Sequence, residues 1–394
     1  MTSNELKSQD AQNVMQTYAR FDAVIDRGKG STLFSPEGKE YIDFSSGIGV
    51  NCLGYGNEKL AQAIYDQAMK LQHISNLYYS APYIKLATEL CNRTGLKRAF
   101  FANSGAESNE GLIKLARKYS FDKYGEGRNE IITLVQSFHG RTVTTLAATG
   151  QDSFHKYFFP FTEGFTHVAA NDIKALESAI NGRVCAVMME LVQGEGGVLP
   201  LDPDYVKAVQ DLCRKHDVLL MLDEVQTGIG RTGSLFAFQQ YGIVPDAVSF
   251  AKGIAGGMPM GGFLAAESCA DVLQAGDHAT TFGGNPVSTA AACEVLNQLT
   301  PELLSEVTQK GGYIRKTVAD WGFTAIGDAR GLGLMIGLPL KGVDPKTVAR
   351  ECVERGLLIL TAGTDTLRML PPLNITYEEI DRGLAILKSA LEEL

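Results

Sequence analysis

The 394-residue chain reads as an α/β protein built on a mostly parallel sheet of seven strands, with a smaller α+β part drawn from both chain ends. Three observations predict this. Between about residues 98 and 265, short apolar β-branched runs alternate with helical patterns, which is how a parallel sheet with helical crossovers is written. The segments before 58 and after 290 lack that alternation. Composition is that of an ordinary globular protein, 45% apolar and 21% charged, so a chain of this length can build a deep core.

Taken in order, the first 58 residues begin with a polar helix-like stretch and continue as RGKGSTLFSPEGKEYIDFSSGIG. There, Pro36-Glu37-Gly38-Lys39 reads as a hairpin turn. The seven strand candidates are 98–101, 130–135, 165–168, 184–191, 218–222, 247–250 and 262–265. Between them, DIKALESAI and PDYVKAVQDLCRKH carry apolar residues at three- and four-residue spacing, and Pro203 marks a helix start. Such strands are covered on both faces. Helices are expected over 288–299 and 301–321, strands in RGLGLMIGLPL, and further helices over 345–355 and 377–394. The predicted division is an N-terminal segment 1–58, a large domain 59–290, and a segment 291–394 that joins the first to form the small domain.

Charge narrows the partners. With 36 basic and 45 acidic residues the net charge is −9, and no basic stripe relieves it, so neither nucleic acid nor a membrane is an expected partner. No apolar run approaches the ~18 residues of a membrane span. The start, MTSNELKSQDAQN, lacks the regions of a signal peptide, and the cytoplasm is the expected location. The seven cysteines are scattered, without a C-x-x-C pair, which suits reduced thiols. The six histidines show no ligand spacing, and no metal is expected. Glycine is abundant, 42 residues, well above the ~7% of an average chain. It marks tight bends or close approach to a ligand.

Gly228, Gly230 and Gly233 follow a strand and match the dinucleotide fingerprint. Only residues 234–242 separate them from the turn at Pro245, too few for a crossover helix, and Asp246 precedes the next strand instead of ending it. A nicotinamide site is therefore not expected. The neighbouring residues are more informative. VLLMLDEVQT puts Asp223 at the carboxyl end of a buried strand, where α/β sheets bind ligands, although a turn cap is the alternative reading of that residue alone. VSFAKGIAGG puts Lys252 at the end of the following strand, among apolar residues and glycines. Alone it equally fits a surface lysine. A desolvated ε-amine has its pKa lowered and becomes a nucleophile toward carbonyls, so a Schiff base is the chemistry this position suggests.

The pair is more specific than either residue. A lysine imine with an aspartate facing a ring nitrogen is what pyridoxal phosphate chemistry requires, because the carboxylate keeps the pyridine protonated and electron-accepting. A phosphate site should accompany it. In NSGAESNEGLIKLARKY, Ser104-Gly105-Ala106 lies between the strand RAFF and an amphipathic helix, so free N–H groups and the helix dipole point at one place. Alone, this is also an ordinary helix cap.

With these residues in view, the chain resembles the class III, fold-type I pyridoxal-phosphate aminotransferases, most closely the N-acetylornithine branch. The resemblance runs from Arg27 to Pro372 through RGKG, NSGAESNE, SFHGRT, QGEGG, LDEVQTGIGRTG, AKGIAGG, TTFGGNP and RMLPPL. It implies that Lys252 is the Schiff-base lysine, Asp223 the pyridinium partner and Gln226 a donor to the ring 3′-oxygen. Phe138 would stack on the ring, and Gly105 and Ala106 would hold the phosphate, joined by the Thr281 hydroxyl of the other subunit. A homodimer with shared active sites follows from the resemblance.

The same resemblance assigns the substrate clamps. Arg141 would grip the donor's α-carboxylate, and Arg368 would take the second carboxylate of 2-oxoglutarate once Glu195 is displaced from it. In ornithine aminotransferases two tyrosines read the free α-amino group; here those positions are Thr32 and Gly47, which opens room for an acylated amine. Thr280 stands where acetylornithine enzymes commonly carry Ser, and its hydroxyl would reach substrate from the partner. Leu191 stands where a proline is usual, and Tyr55-Gly56-Asn57 where His-x-His-Pro is common. The implied reaction moves the δ-amino group of N2-acetyl-L-ornithine to 2-oxoglutarate, giving N-acetyl-L-glutamate 5-semialdehyde and L-glutamate. Succinylornithine, succinyldiaminopimelate, ornithine and 4-aminobutyrate are alternative donors, and a glutamate-1-semialdehyde aminomutase is an alternative of another reaction class.

Overall fold

The computed structural model describes residues 1–393; the last residue of the expected helix 377–394 lies outside them. Seven strands form the main sheet, in the spatial order Arg98–Ala102, Gly261–Ala265, Ala247–Phe250, Leu219–Asp223, Val184–Met189, Glu130–Leu134, Phe165–Val168. Only Gly261–Ala265 runs antiparallel to its neighbours, so the other six share one direction and end at one edge.

Both faces of this sheet are covered, and the side-chain alternation shows it. Leu220 and Leu222 enter one apolar cluster, while Leu219 and Met221 enter the other. In Val184–Met189 the alternation slips at Cys185, where the register with Glu130–Leu134 shifts by a residue. Helix Gly105–Tyr124 packs its Leu112, Ile113, Leu115 and Ala116 on one side. Helix Pro203–His216 covers the other with Tyr205, Val206, Val209 and Leu212. Asp202 caps the latter by accepting the N–H of Asp204 at 2.8 Å and of Tyr205 at 3.1 Å.

The chain ends meet in a second sheet. Strands Arg27–Lys29, Thr32–Phe34 and Glu40–Asp43 form an antiparallel meander, and Leu357–Leu358 pairs in parallel with Glu40–Asp43. The turn between the last two meander strands is closed by the Ser35 N–H on the Lys39 carbonyl at 2.9 Å. A third sheet, Arg330–Leu332, Met335–Pro339, Thr366–Met369 and Leu360–Ala362, carries Arg368. Helices Glu58–Lys70 and Ala81–Thr94 pack beside Pro286–Gln298, whose start is set by the Asn285 side chain accepting the Ser288 N–H at 3.0 Å. Among the described residues no helix is long and apolar enough to cross a membrane.

The glycines of 228–233 serve packing. A methyl on Gly230 would stand 2.9 Å from Leu373, and one on Gly233 would stand 2.2 Å from Thr308 Oγ1, so this loop wedges between the large sheet's crossover and the C-terminal elements. The only helix between Leu219–Asp223 and Ala247–Phe250 is Phe238–Tyr241, a single turn, and no dinucleotide unit is formed.

Candidate active site

Five of the six parallel strands deliver residues from their carboxyl ends into one cavity of about 390 Å³. Asn103 to Ala106 follow Arg98–Ala102, Phe138 to Arg141 follow Glu130–Leu134, and Glu190 follows Val184–Met189. Asp223 ends its own strand, with Val225 and Gln226 just beyond, and Ala251 and Lys252 follow Ala247–Phe250. This is the edge at which parallel sheets bind ligands, because side chains there escape the ladder while their backbones stay fixed by it.

Lys252 opens a turn with φ +48°, a left-handed conformation that is costly for a side-chain-bearing residue. Burial pushes the pKa of its ammonium down. The carboxylates of Glu195, Asp223 and Glu190 oppose that shift and Arg368 adds to it, and the net direction is downward. An amine in this state is more available as a nucleophile than an exposed lysine.

Asp223 is buried at 4% exposure and is held by three donors. Asn109 Nδ2 donates to Oδ2 at 2.7 Å, His139 Nδ1 donates to the same oxygen at 2.8 Å, and the Val225 N–H donates to Oδ1 at 3.0 Å. A carboxylate so held keeps its orientation, and two of these donors, His139 and Asn109, went unassigned by the sequence reading. The signals were present: His139 sits inside SFHGRT, and Asn109 lies just over one turn into the helix that begins at Gly105, on its buried side.

That helix start has the chemistry of an anion site. Ser104 Oγ accepts the Glu107 N–H at 3.2 Å and the Ser104 carbonyl accepts the Ser108 N–H at 3.0 Å. The Gly105 and Ala106 N–H groups have no partner among the described residues and border the cavity. A methyl on Gly105 would stand 2.8 Å from Val225, so the helix start abuts the segment that carries Asp223.

Of the two candidate arginines, Arg141 lines the cavity, whereas Arg368 and Glu195 do not and reach it only through Gln226, which does. Arg141 lies over the rings of Phe154 at 4.2 Å and Phe138 at 5.5 Å, and among the described residues it forms no ion pair. Arg368 Nη1 bonds Glu195 Oε1 at 2.5 Å and donates to Gln226 Oε1 at 3.2 Å, while its Nε has no partner. Burial alone would raise the Glu195 carboxyl; the Arg368 charge overrides it and lowers it. Glu195 is 29% exposed against 3% for Arg368, so the carboxylate is the member of the pair free to leave.

Thr280 and Thr281 are not brought to this cavity. Thr280 Oγ1 accepts from Asn103 Nδ2 at 3.3 Å and from the Gly283 N–H at 3.2 Å, and Thr281 lines a separate small cleft with residues 73–76. Thr32 and Gly47 do not line the cavity either; Val50 is the N-terminal residue that does. Among the described residues no group of histidine, cysteine and carboxylate side chains has the geometry of a metal site.

The class III aminotransferase family model, "Aminotransferase class-III", matches residues 14–391. The chain belongs to this family. Among curated relatives, the acetylornithine aminotransferase of Haemophilus ducreyi is 51% identical, with 100% of each chain covered. The solved N-acetylornithine aminotransferase of Stenotrophomonas maltophilia superposes with a TM-score of 0.85 at 37% identity, covering 98% of each chain. The ornithine aminotransferase of Toxoplasma gondii superposes with a TM-score of 0.95 at 32% identity, covering 100% of this chain and 96% of that one. This class III aminotransferase thus shares its whole architecture with enzymes named for acylated and for free ornithine.

Proposed function

We propose that this aminotransferase transfers the δ-amino group of N2-acetyl-L-ornithine to 2-oxoglutarate, with pyridoxal 5′-phosphate as cofactor. The observation that carries the reading is one cavity lined by a half-buried lysine with a desolvated ammonium, a buried aspartate and two N–H groups at a helix start that have no partner among the described residues. These fit the cofactor's aldehyde, ring nitrogen and phosphate respectively, and Phe138 offers an aromatic face. When bound, pyridoxal phosphate supplies an electron sink for the pair left on the donor's carbon as it loses a proton.

The chain's own residues do the rest. Asp223, fixed by Asn109, His139 and the Val225 N–H, would hold the proton on the ring nitrogen. Gln226 would donate Nε2 to the ring 3′-oxygen while its Oε1 faces Arg368. Lys252 would hold the cofactor's aldehyde carbon, and its Nζ would serve as the base and acid that takes the proton from the donor's δ-carbon. Arg141, which has no ion pair among the described residues, suits the donor's α-carboxylate. Glu195 covers Arg368 while the donor is bound and yields it to the second carboxylate of 2-oxoglutarate.

The assignment to an acylated donor rests on the names of the relatives and on Thr32 and Gly47. It also includes a homodimer in the cytoplasm, with Thr280 and Thr281 serving the partner's cavity. In support, neither lines its own cavity, and near the cleft holding Thr281 the side chains of Leu77, Tyr78, Tyr79 and Phe282 are 87%, 66%, 96% and 63% exposed. Segments 1–58 and 291–394 form the small domain in this reading, carrying Arg368 against the large domain of 59–290.

Half-reaction rates test the donor. Acetylornithine is expected to give the highest kcat/KM among acetylornithine, succinylornithine, ornithine and 4-aminobutyrate. A faster reaction with any of the other three reassigns the substrate, as would succinyldiaminopimelate in the same assay. Turnover without 2-oxoglutarate would make the protein an aminomutase instead. For the clamp, Arg368→Ala should raise the KM for 2-oxoglutarate about a hundredfold or more, since a buried charged partner is removed. An unchanged KM refutes that role.

A further inference from the structure

Glu190 stands where strand Val184–Met189 ends, 5% exposed, in the cavity lining, with no cationic partner among the described residues. Its two oxygens are divided between two loops. Oε1 accepts the Phe138 N–H at 2.9 Å, and Oε2 accepts the Gly194 N–H at 3.0 Å. The first loop carries the aromatic ring at the cavity; the second is the turn whose next residue, Glu195, holds Arg368.

We propose that Glu190 is a positioning residue that couples Phe138 to the Glu195–Arg368 clamp by holding both loops through one carboxylate. The inference rests on the function proposed above. A buried carboxylate without a cation is costly, and burial, followed by the charge of Asp223, pushes this one well above the usual carboxyl range. The residue type answers to the geometry that offsets this cost. Two converging N–H groups need two acceptor oxygens on one side chain. A glutamine there offers a single oxygen and turns its NH2 toward the other N–H, and an aspartate is one methylene too short to span both. Because strand Val184–Met189 is entirely buried in the sheet, the carboxylate is a fixed post from which both loops are measured.

The test is a pair of double-mutant cycles on the full-length protein. Glu190→Gln should weaken pyridoxal phosphate binding by about ten- to a hundredfold, the value of one hydrogen bond to a charged group, followed by titrating the apo-protein. It should also loosen Glu195 from Arg368, so the KM for 2-oxoglutarate falls roughly three- to tenfold as its internal competitor weakens. In a Phe138→Ala background the effect on cofactor binding should vanish, and in a Glu195→Gln background the effect on 2-oxoglutarate should vanish. Additive effects in either cycle overturn the proposal, and so does a lowered Tm with both readings unmoved, which is what a purely structural role gives. Should Glu190→Gln not fold, Glu190→Asp enters the same cycles with the same expected signs. A parent protein that binds pyridoxal phosphate and turns over 2-oxoglutarate upholds the proposed function whatever Glu190 does; a parent that does neither overturns both readings.

Discussion

Replacing Lys252 with alanine is expected to abolish transamination, by at least about four orders of magnitude, together with the visible absorption of covalently held cofactor. The loss should be chemical and not structural. Alanine carries the same Cβ into the same left-handed backbone at φ +48°, so the strain is unchanged, and a buried amine that is costly to charge is removed. Tm should therefore stay at or above that of the parent while turnover disappears. Retained transamination in Lys252→Ala would remove the amine from the mechanism altogether.

Asp223→Ala should be nearly as severe, slowing the reaction by several orders of magnitude and leaving the cofactor weakly held. Without the carboxylate nothing keeps the ring nitrogen protonated, and the electron sink is lost. This variant carries a structural cost as well. Asn109 Nδ2, His139 Nδ1 and the Val225 N–H all donate to Asp223, and each buried donor left without an acceptor costs about 1–3 kcal/mol. Measuring kcat together with Tm separates the two effects. An activity within about tenfold of the parent contradicts the role given to Asp223.

Much of the architecture was legible because it depends on local pattern. The seven apolar runs became the seven strands of the main sheet; 165–168 and 247–250 match at both ends, and the other five are off by at most two residues at an end. Asp223 belongs to the strand and does not follow it, and Glu190 and Leu191 lie beyond the strand that ends at Met189. The Lys252 and Asp223 positions could be read because charged residues at the ends of buried strands are conspicuous. Glu190 offered the same signal, a carboxylate closing a run of buried residues, yet its meaning depends on Phe138 and Gly194, whose approach no local spacing encodes. His139 and Asn109 were hidden for the same reason: a residue that acts through another is recognised only when the other is seen beside it. The glycines at 228, 230 and 233 show the converse, a familiar pattern whose close contacts are with Phe236, Leu373 and Thr308.

The pairing of Leu357–Leu358 with Glu40–Asp43 has a consequence for biosynthesis. The early meander leaves one edge to be paired later, and its Leu33 and Tyr41 complete their apolar cluster only with Val353 and Leu358. At roughly 5–20 residues per second, the ribosome needs about 16 to 63 s to travel from the one partner strand to the other. Throughout that interval the nascent chain carries an open β-edge with apolar side chains, the kind of surface that recruits stray strands. In the folded protein it is Leu357–Leu358 that closes this edge.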